Sequence, residues 1–373
     1  MRNKTYIFVI LMLVAAVAVP SVHGQIIYDQ PGAGYARMIY SHWKLEDDSG
    51  EISIGQIALP ISGFIPLKDN LEAQFYMANA SNKMSVIDSD TTLSGFSDAR
   101  FQINHSFYED HFLISGGINL PVGKKKLNTS EERAVIDLLS ENYLSFPMRR
   151  LGEGFGFNLL FGAATILGET RWGTGIMYQY NGSYDAYEGE GSYDPGDFAS
   201  INISVGKSFE KTAFNADVIF TMYGKDKLDD VDAYDASAQM DFRLRTILTE
   251  EKYSLGGNFR YLYRFKPTVY DIMTGGVIGE EKLYGNEFFV NGNLNYHPDP
   301  GWYVAPSVDL RLIGDSETGI KKSTIFGFGG LYGRKLNEKF DFDIGLKYFL
   351  GSADDGDIDL TGLQITLGLA AIF

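Results

Sequence analysis

The sequence predicts an antiparallel, up-and-down transmembrane β-barrel of about 14 to 16 strands, and three patterns support this fold class. Segments of ten or more residues alternate apolar and polar side chains, which in a strand point to opposite faces. Short connections alternate with long ones, as the turns and loops of outer-membrane barrels do. Aromatic residues recur beside the short connections, and aromatic rings prefer the membrane interface.

The composition excludes several other classes of protein. The 373 residues include 48 acidic and 32 basic side chains, and the net charge of −16 opposes binding to the phosphates of nucleic acid. There is no cysteine, which excludes a disulfide scaffold, thiolate metal sites and a lipid-bearing N-terminal cysteine. We expect no cofactor, no metal site and no nucleic-acid partner.

The N-terminus has the pattern of a secretory signal peptide. Arg2 and Lys4 precede an apolar run of 14 residues over 6–19, and Gly24 ends a stretch of modest side chains suited to cleavage. A membrane-spanning anchor is the alternative, but it needs about 20 apolar residues. We therefore predict a signal peptide over residues 1–24 and an outer-membrane barrel over residues 25–373.

The strands follow from the alternation. Ile201, Ile203 and Val205, for example, alternate with Asn202 and Ser204. Most of the sixteen segments have ten to thirteen residues, longer than the ~5–6 of soluble sheets and close to the ~9–11 that cross a bilayer. The predicted strands are residues 33–43, 51–62, 71–80, 98–108, 112–121, 155–166, 171–180, 199–209, 213–223, 236–248, 253–265, 286–296, 303–313, 324–335, 340–349 and 361–373.

The predicted connections alternate in length. The short ones are residues 108–111, 168–170, 210–212, 249–252, 297–301 and 337–339. The long ones are residues 81–97, 122–154, 181–198, 224–235, 266–285, 314–323 and 350–360. In outer-membrane barrels short turns face the periplasm and longer loops face outward. An even strand number then leaves both termini on the periplasmic side.

Aromatic residues mark the short-turn end of the predicted barrel. The strands that leave these turns open with Phe112, Trp172, Phe214, Tyr253, Trp302, Tyr303 and Phe340. The chain itself ends on alternating apolar residues that finish with Phe373, and this pattern resembles the C-terminal strand by which bacterial outer-membrane proteins are recognised for insertion. We expect a bacterial outer-membrane location, with membrane lipid, lipopolysaccharide and the barrel-assembly machinery as partners.

Charged residues fall on the register that alternates with the apolar one. On the lipid face each would cost about 2–4 kcal/mol at the midplane, so we predict that they face a polar lumen. They are Arg100, Asp217, Asp241, Arg243, Arg245, Arg260, Arg264, Asp309, Arg311, Asp341, Asp343 and Lys347. Two interpretations remain open: a pathway that selects solutes, in which the four arginines of 243–264 determine selectivity, or a salt-bridged interior that holds the barrel in shape.

The longest connection, residues 122–154, contains a predicted helix over 130–140. Thr129 or Ser130 can cap it, acidic side chains fill its first turn, and an apolar stripe runs along one face. Such a helix either folds inward as a constriction or packs on the outer rim, and we favour the constriction. Its charged candidates are Glu131, Glu132, Arg133 and Asp137.

Two other features receive a non-catalytic interpretation. The acidic clusters of residues 226–235 and 354–359 do not match a calcium-binding loop, so we interpret them as solvated charges, although calcium binding stays open. Signatures of serine hydrolases and zinc proteases are absent, and His42 has no obvious nucleophile beside it. The chain is therefore predicted not to be an enzyme.

Three short motifs carry a family resemblance. They are Leu93-Ser94-Gly95-Phe96-Ser97-Asp98, Leu120-Pro121-Val122-Gly123-Lys124 and Leu151-Gly152-Glu153-Gly154-Phe155-Gly156. In their order they resemble the short motifs of the outer-membrane proteins linked to phenol meta-pathway degradation, which are similar to the long-chain fatty-acid and aromatic-hydrocarbon transporters. The resemblance implies an outer-membrane barrel that passes a hydrophobic or aromatic solute.

The sequence thus supports one primary hypothesis and two alternatives. The primary hypothesis is an outer-membrane channel that gives passive passage to a small solute, with a hydrophobic or aromatic one implied by the resemblance. The first alternative is a barrel with a filled lumen that serves a structural or surface-interaction role through its acidic loops. The second is a membrane-embedded hydrolase.

Overall fold

The computed structural model describes residues 31–86, 89–317 and 319–373. The predicted signal peptide, residues 1–24, lies outside the described residues. Within them the chain forms a closed antiparallel barrel of 16 strands, so the predicted fold class is confirmed. No helix among these residues has the length and apolar character needed to cross a membrane.

The elements are bounded as follows. In chain order they are β1 (Ala33–Asp47), β2 (Gly50–Lys68), β3 (Leu71–Val86), β4 (Ser89–Phe96), β5 (Ala99–Phe107), β6 (Phe112–Leu120), α1 (Ser130–Ser140), β7 (Gly156–Leu167), β8 (Thr170–Asn181), β9 (Tyr193–Asp194), β10 (Phe198–Ser208), β11 (Thr212–Tyr223), β12 (Lys225–Leu228), β13 (Val231–Asp235), β14 (Ala238–Thr249), β15 (Tyr253–Arg264), β16 (Thr268–Tyr270), β17 (Val277–Gly279), β18 (Glu287–Asp299), β19 (Trp302–Ile313), β20 (Ser323–Lys335), β21 (Phe340–Ala353), a single 3₁₀ turn (Asp354–Gly356) and β22 (Ile358–Ile372).

The barrel closes where the first strand meets the last. β1 pairs antiparallel with β22 from Ala33 opposite Ile372 to Glu46 opposite Asp359. The other wall strands pair with their neighbours in chain order, and β4 and β5 together make one of them, side by side with β3. Closure leaves no unpaired edge in the part of the wall that crosses the membrane, which is the requirement for sheet structure in hydrocarbon, while the projecting strand β4 pairs with β3 alone.

The two faces of the wall differ as the alternation predicts. Ile201 and Ile203 are 43% and 53% exposed on the outer face, whereas Asn202 and Ser204 turn inward. The same alternation continues through β21, where Ile344 is on the outside. A closed barrel with an apolar exterior is a membrane-embedded structure, and this places the protein in the bacterial outer membrane.

Two of the predicted long loops are strand instead. Residues 81–86 and 89–96 continue β3 and β4 as a hairpin, and the last long connection shrinks to residues 354–357 because β21 and β22 extend beyond the predicted ends. On the outer face of the hairpin the cross-strand contacts are polar, with Ser94 Oγ donating to Ser81 Oγ at 2.9 Å and Lys83 bridging Asp90 at 2.6 Å. A strand that projects beyond the bilayer needs no apolar outer face, so the apolar residues Met84 and Leu93 of the hairpin face inward.

Part of the remaining long loops forms a second, smaller sheet. Its strands are β9, β12, β13, β16 and β17, and they all come from connections between wall strands. We call this side of the barrel the loop end and the side with the short connections the turn end. The small sheet therefore lies over the loop end.

A candidate solute pathway in the barrel lumen

Residues 121–155 fold into the lumen and fill part of its loop end. Thr129 caps α1, since its hydroxyl accepts from the Glu132 backbone N–H at 3.1 Å. The apolar stripe of the helix, Val135 and Leu139, is fully buried. The cluster that buries it contains inward residues of the wall and residues of the loop: Trp43, Leu45, Ile54, Ala58, Ala78, Ala80, Leu93, Leu127, Tyr143, Leu144, Phe146, Met148, Leu151, Ile313, Ile325, Phe349, Ala353 and Leu360.

Polar contacts fix the middle of the loop to two separate strands of the wall. The buried Gln56 amide of β2 donates to the Met148 carbonyl at 2.7 Å and accepts from the Met148 N–H at 3.0 Å. Five positions further round the wall, Arg311 of β19 donates to the carbonyls of Asn142 and Tyr143 at 3.3 and 3.1 Å. The loop is thus held across the lumen by backbone contacts.

A single carboxylate joins the two stems of the loop to the wall. Asp98 is 4% exposed, and its oxygens accept from the backbone N–H groups of Gly123 and Glu153 at 2.8 and 2.7 Å and from the Asn119 amide at 3.1 Å. Gly123 allows this close approach, because a Cβ there would lie 2.8 Å from the Phe96 carbonyl oxygen. Segments of all three motifs behind the family resemblance therefore meet at Asp98.

The wall is irregular at the same point. Asn79 pairs with Phe96 and Tyr76 pairs with Arg100, so two residues of β3 lie opposite three residues, 97–99, of the neighbouring strand. The Ser97 hydroxyl accepts from the Ala78 N–H at 2.8 Å within this bulge. A bulge turns a side chain away from the regular register, and here it lets Asp98 reach the loop.

A cavity of about 1180 Å³ remains in the lumen beside the loop. It lies between residues 140–156 and the inward faces of β1–β3 and β5–β8, and it reaches Arg264 at the loop end of β15. Aromatic, amide and guanidinium groups line it together. Representative lining residues are Tyr76, Asn158, Gln179, Arg149, Arg150 and Tyr284.

The predicted lumen charges on β11, β14 and β15 lie on the inward register and largely pair with one another. Asp241 bridges Arg243 at 2.7 Å and Arg260 at 2.9 Å, and Asp217 bridges Arg245 at 3.0 Å. These pairs are contacts of the barrel interior and do not line the cavity.

Arg264, at the loop end of β15, does line the cavity. It bridges Glu287 at 2.5 Å and also donates to the Gly285 carbonyl. Its charge is thus compensated by the neighbouring strand.

The remaining predicted lumen charges have other partners. On β19 to β21, Lys347 pairs with Asp309, and Asp343 bridges Arg37 of β1 at 2.9 Å. Asp341 lies on the same inward register as Asp343. Arg100 of β5 lines the cavity and bridges Glu153 of the loop at 3.3 Å.

The four charged residues predicted to form the constriction lie at the loop-end rim, and none of them lines the cavity. Arg133 bridges Glu190 at 3.0 Å, and its guanidinium lies 4.4 Å from the centre of the Tyr187 ring. Glu131 and Asp137 are on the same helix, and burial raises the pKa of Asp137. The loop does enter the lumen, but it is its later part, residues 140–156, that borders the open space.

Glu132 has a structural role at the start of the helix. Its carboxylate accepts from Lys124 at 2.5 Å and from the Asn128 N–H at 2.8 Å. Burial acts to raise the pKa of Glu132, but these two donors outweigh it and hold the pKa below its ordinary value. This residue therefore stabilises the loop rather than contacting a solute.

Arg149 and Arg150 are cavity residues that the sequence reasoning missed. They lie in a loop without periodicity, so no pattern assigned them to a face. The one available signal was a pair of arginines inside the longest loop of an acidic protein.

The acidic clusters and His42 also have definite surroundings. Asp226 accepts from the Tyr193 hydroxyl and the Gly196 N–H, both at 2.7 Å, and so joins two loops of the small sheet. Among the described residues, no group of three or more His, Asp or Glu is arranged to hold a metal ion. His42 is on the outer face of β1, where its ring stacks on Tyr40 with the centroids 6.4 Å apart.

Comparisons with known proteins add likenesses of architecture. No protein-family model matches the sequence, and no curated protein matches it either. Among solved structures, the chain is similar to the CymD monoaromatic hydrocarbon channel, with a TM-score of 0.45, 10% identity and coverage of 92% of this chain and 89% of that one.

Two solved structures from Pseudomonas aeruginosa are similar to the same degree. OprD has a TM-score of 0.47 and 8% identity, with 95% of this chain and 98% of that one covered. A FadL homologue has a TM-score of 0.44 and 8% identity, with 92% and 91% covered. These three TM-scores are below 0.5, and the barrel of this chain is established by its own strand pairings.

Proposed function

We propose that the protein is an outer-membrane channel that gives passive passage to a small solute of hydrophobic or aromatic character. The cavity of about 1180 Å³ inside a closed wall is the observation that carries this proposal. Ligand pockets in proteins typically measure roughly 300–1,000 Å³, so the space admits a small organic molecule. The aromatic residues in its lining favour a solute with an apolar body.

In this proposal residues 121–155 act as the constriction. They enter the lumen, and the Gln56, Arg311 and Asp98 contacts hold them there. The wall pairs of Asp241 with Arg243 and Arg260 keep the opposite side polar and wet, as a solute pathway requires. The motif resemblance to proteins linked to phenol degradation supports the aromatic character of the solute.

Reconstitution tests the proposal. Purified protein in planar bilayers or liposomes is expected to conduct ions and to admit a small aromatic solute such as phenol. A general porin is the positive control, and the same protein unfolded by boiling is the negative control. Neither conductance nor uptake, with a working porin beside it, would reject transport.

A second function has one observation in its favour. The apolar cluster around Val135 and Leu139 fills the loop end on one side of the lumen. A filled lumen is expected of a barrel with a purely structural or surface-interaction role. In that case the small sheet at the loop end would provide the interaction surface. A barrel that binds no solute and conducts nothing, yet is required at the cell surface, would favour this second function.

A further inference from the structure

The two cavity arginines of the loop are held in fixed positions. Met148 precedes them and exchanges two hydrogen bonds with Gln56, and Glu153 follows them and donates its backbone N–H to Asp98. Only four residues, 149–152, lie between these two anchors. The backbone that carries Arg149 and Arg150 is therefore constrained on both sides, and their side chains project from an ordered segment.

Neither arginine has an anionic partner among the described residues. Arg149 donates one hydrogen bond to the Asn142 amide oxygen at 2.8 Å, and within the described part of the chain the Arg150 side chain donates none. Both side chains are exposed, and both line the cavity. A guanidinium carries five N–H donors, so most of the donors of this pair have no protein acceptor within the described residues.

The other arginines nearby differ in this respect. Arg243, Arg260 and Arg264 each bridge a wall carboxylate at 2.5 to 2.9 Å. Those wall charges are compensated by direct ion pairs, whereas Glu287 and Glu153 act on Arg149 and Arg150 only from beyond ion-pair distance. The cavity thus has an excess of positive charge in a protein whose net charge is −16.

The surroundings increase the attraction for an anion. Burial lowers the pKa of Arg149, and Arg264 and Arg260 lower it further against the opposing effect of Glu287. An arginine nevertheless stays protonated at neutral pH. An anion bound beside Arg149 would therefore relieve this repulsion, because the arginine does not lose its proton, and the low-dielectric wall strengthens the field in the lumen.

We propose that Arg149 and Arg150 form an anion-binding site in the lumen, and that this site takes small organic anions of the carboxylate class. Guanidinium groups match the planar carboxylate with paired hydrogen bonds, and rings such as Phe64, Phe146 and Tyr284 border the same cavity and suit an apolar body. The inference rests on the proposed function in that the solute must reach the cavity from outside.

Calorimetric titration of the full-length mature protein in detergent tests the site. Benzoate is the probe, and benzamide is its neutral counterpart of the same shape. We expect wild-type protein to bind benzoate at least tenfold more tightly than benzamide. The double variant Arg149→Gln/Arg150→Gln should lose at least tenfold in benzoate affinity and leave benzamide unaffected.

Matched variants separate the effect of the two arginine charges on benzoate binding from the effect of the protein's overall charge. Arg334→Gln/Lys339→Gln removes two charges at the turn end, outside the lumen, and should leave benzoate binding unchanged. Arg149→Lys/Arg150→Lys keeps the charge and should retain part of the affinity. Equal binding of benzoate and benzamide by wild-type protein, or unchanged benzoate binding in the double Gln variant, would overturn the inference.

A failure of the anion site can be distinguished from a failure of the proposed channel function. Binding in detergent does not require conduction, so a barrel that conducts nothing can still bind benzoate through this pair. If the barrel conducts but binds benzoate and benzamide equally, the anion site is rejected and the proposed channel function is retained. In a conducting barrel, a salt gradient should also give a reversal potential that favours chloride over potassium, and the double Gln variant should lose this preference.

Discussion

At the scale of single residues, Asp98 is the position on which the loop depends most. Asp98→Ala would leave the N–H groups of Gly123 and Glu153 without their acceptor, and a buried donor left unsatisfied costs about 1–3 kcal/mol. We expect the loop to loosen while the barrel stays closed. Limited proteolysis of folded protein should then cut within residues 121–155, and the thermal unfolding midpoint should fall.

The control for this variant is an acid without such contacts. Asp315 is exposed and lies 3.7 Å from Lys322, so Asp315→Ala changes the charge by the same amount at little structural cost. If Asp98→Ala were as resistant to protease as this control, Asp98 would not be what secures the loop.

The residues also show which parts of the lumen were predictable. Asp241, Arg243 and Arg260 were assigned to the inward face because an alternating strand leaves only two choices, and the lipid face is too costly for charge. Arg149 and Arg150 were not assigned, since a loop has no such rule. Their position depends on contacts with Gln56 and Asp98, which are distant in sequence and become neighbours only in the folded barrel.

At the scale of elements, the strands were predictable where the membrane imposes a pattern. The segment that includes Ile203 alternates because one face meets lipid, and it was found within a residue or two of its ends. The hairpin of residues 81–96 was predicted as loop because it extends past the bilayer, where the outer face is polar, although Met84 and Leu93 on its inner face pack with the apolar cluster. The helix over 130–140 was predicted from its cap and apolar stripe, but the sequence left its destination open between lumen and rim.

The loop itself carries the second prediction. Replacing residues 128–148 by a short Gly-Ser linker removes α1 and the part of the apolar cluster that the loop contributes between Val135 and Met148, but it keeps both stems on Asp98 and retains Arg149 and Arg150. The wall should still close, because its strands pair independently of the loop. We expect single-channel conductance to rise several-fold, since the filled part of the lumen becomes water.

A rim variant provides the comparison. The tip between β16 and β17, residues 271–276, belongs to the small sheet at the loop end, and the same linker there should leave conductance unchanged. Unchanged conductance after replacement of 128–148 would mean that this loop does not limit the pathway.

At the scale of the whole molecule, the outer and inner surfaces are two environments separated by one layer of strands. Apolar side chains such as Ile203, Phe214 and Leu244 are 53%, 41% and 43% exposed on the outside, an arrangement that water would not tolerate over so large an area. The polar groups and the loop occupy the inside. Each side chain of a wall strand therefore faces either lipid or the lumen. A substitution that introduces a charge tests directly which of the two it faces.

The final prediction compares two neighbouring residues of β10. Ile203→Arg places a charge on the lipid face, at a cost of about 2–4 kcal/mol near the midplane. Asn202→Arg places it in the lumen opposite Gly175, which has no side chain to obstruct it. Ile203→Arg should therefore impair insertion, and Asn202→Arg should insert like the wild type.

Folded barrels migrate differently on a gel before and after boiling, and the fraction that shifts measures insertion. If both variants shifted to the same extent, the faces of this strand would be misassigned, and wild-type protein that stayed monodisperse without detergent would contradict the membrane barrel altogether.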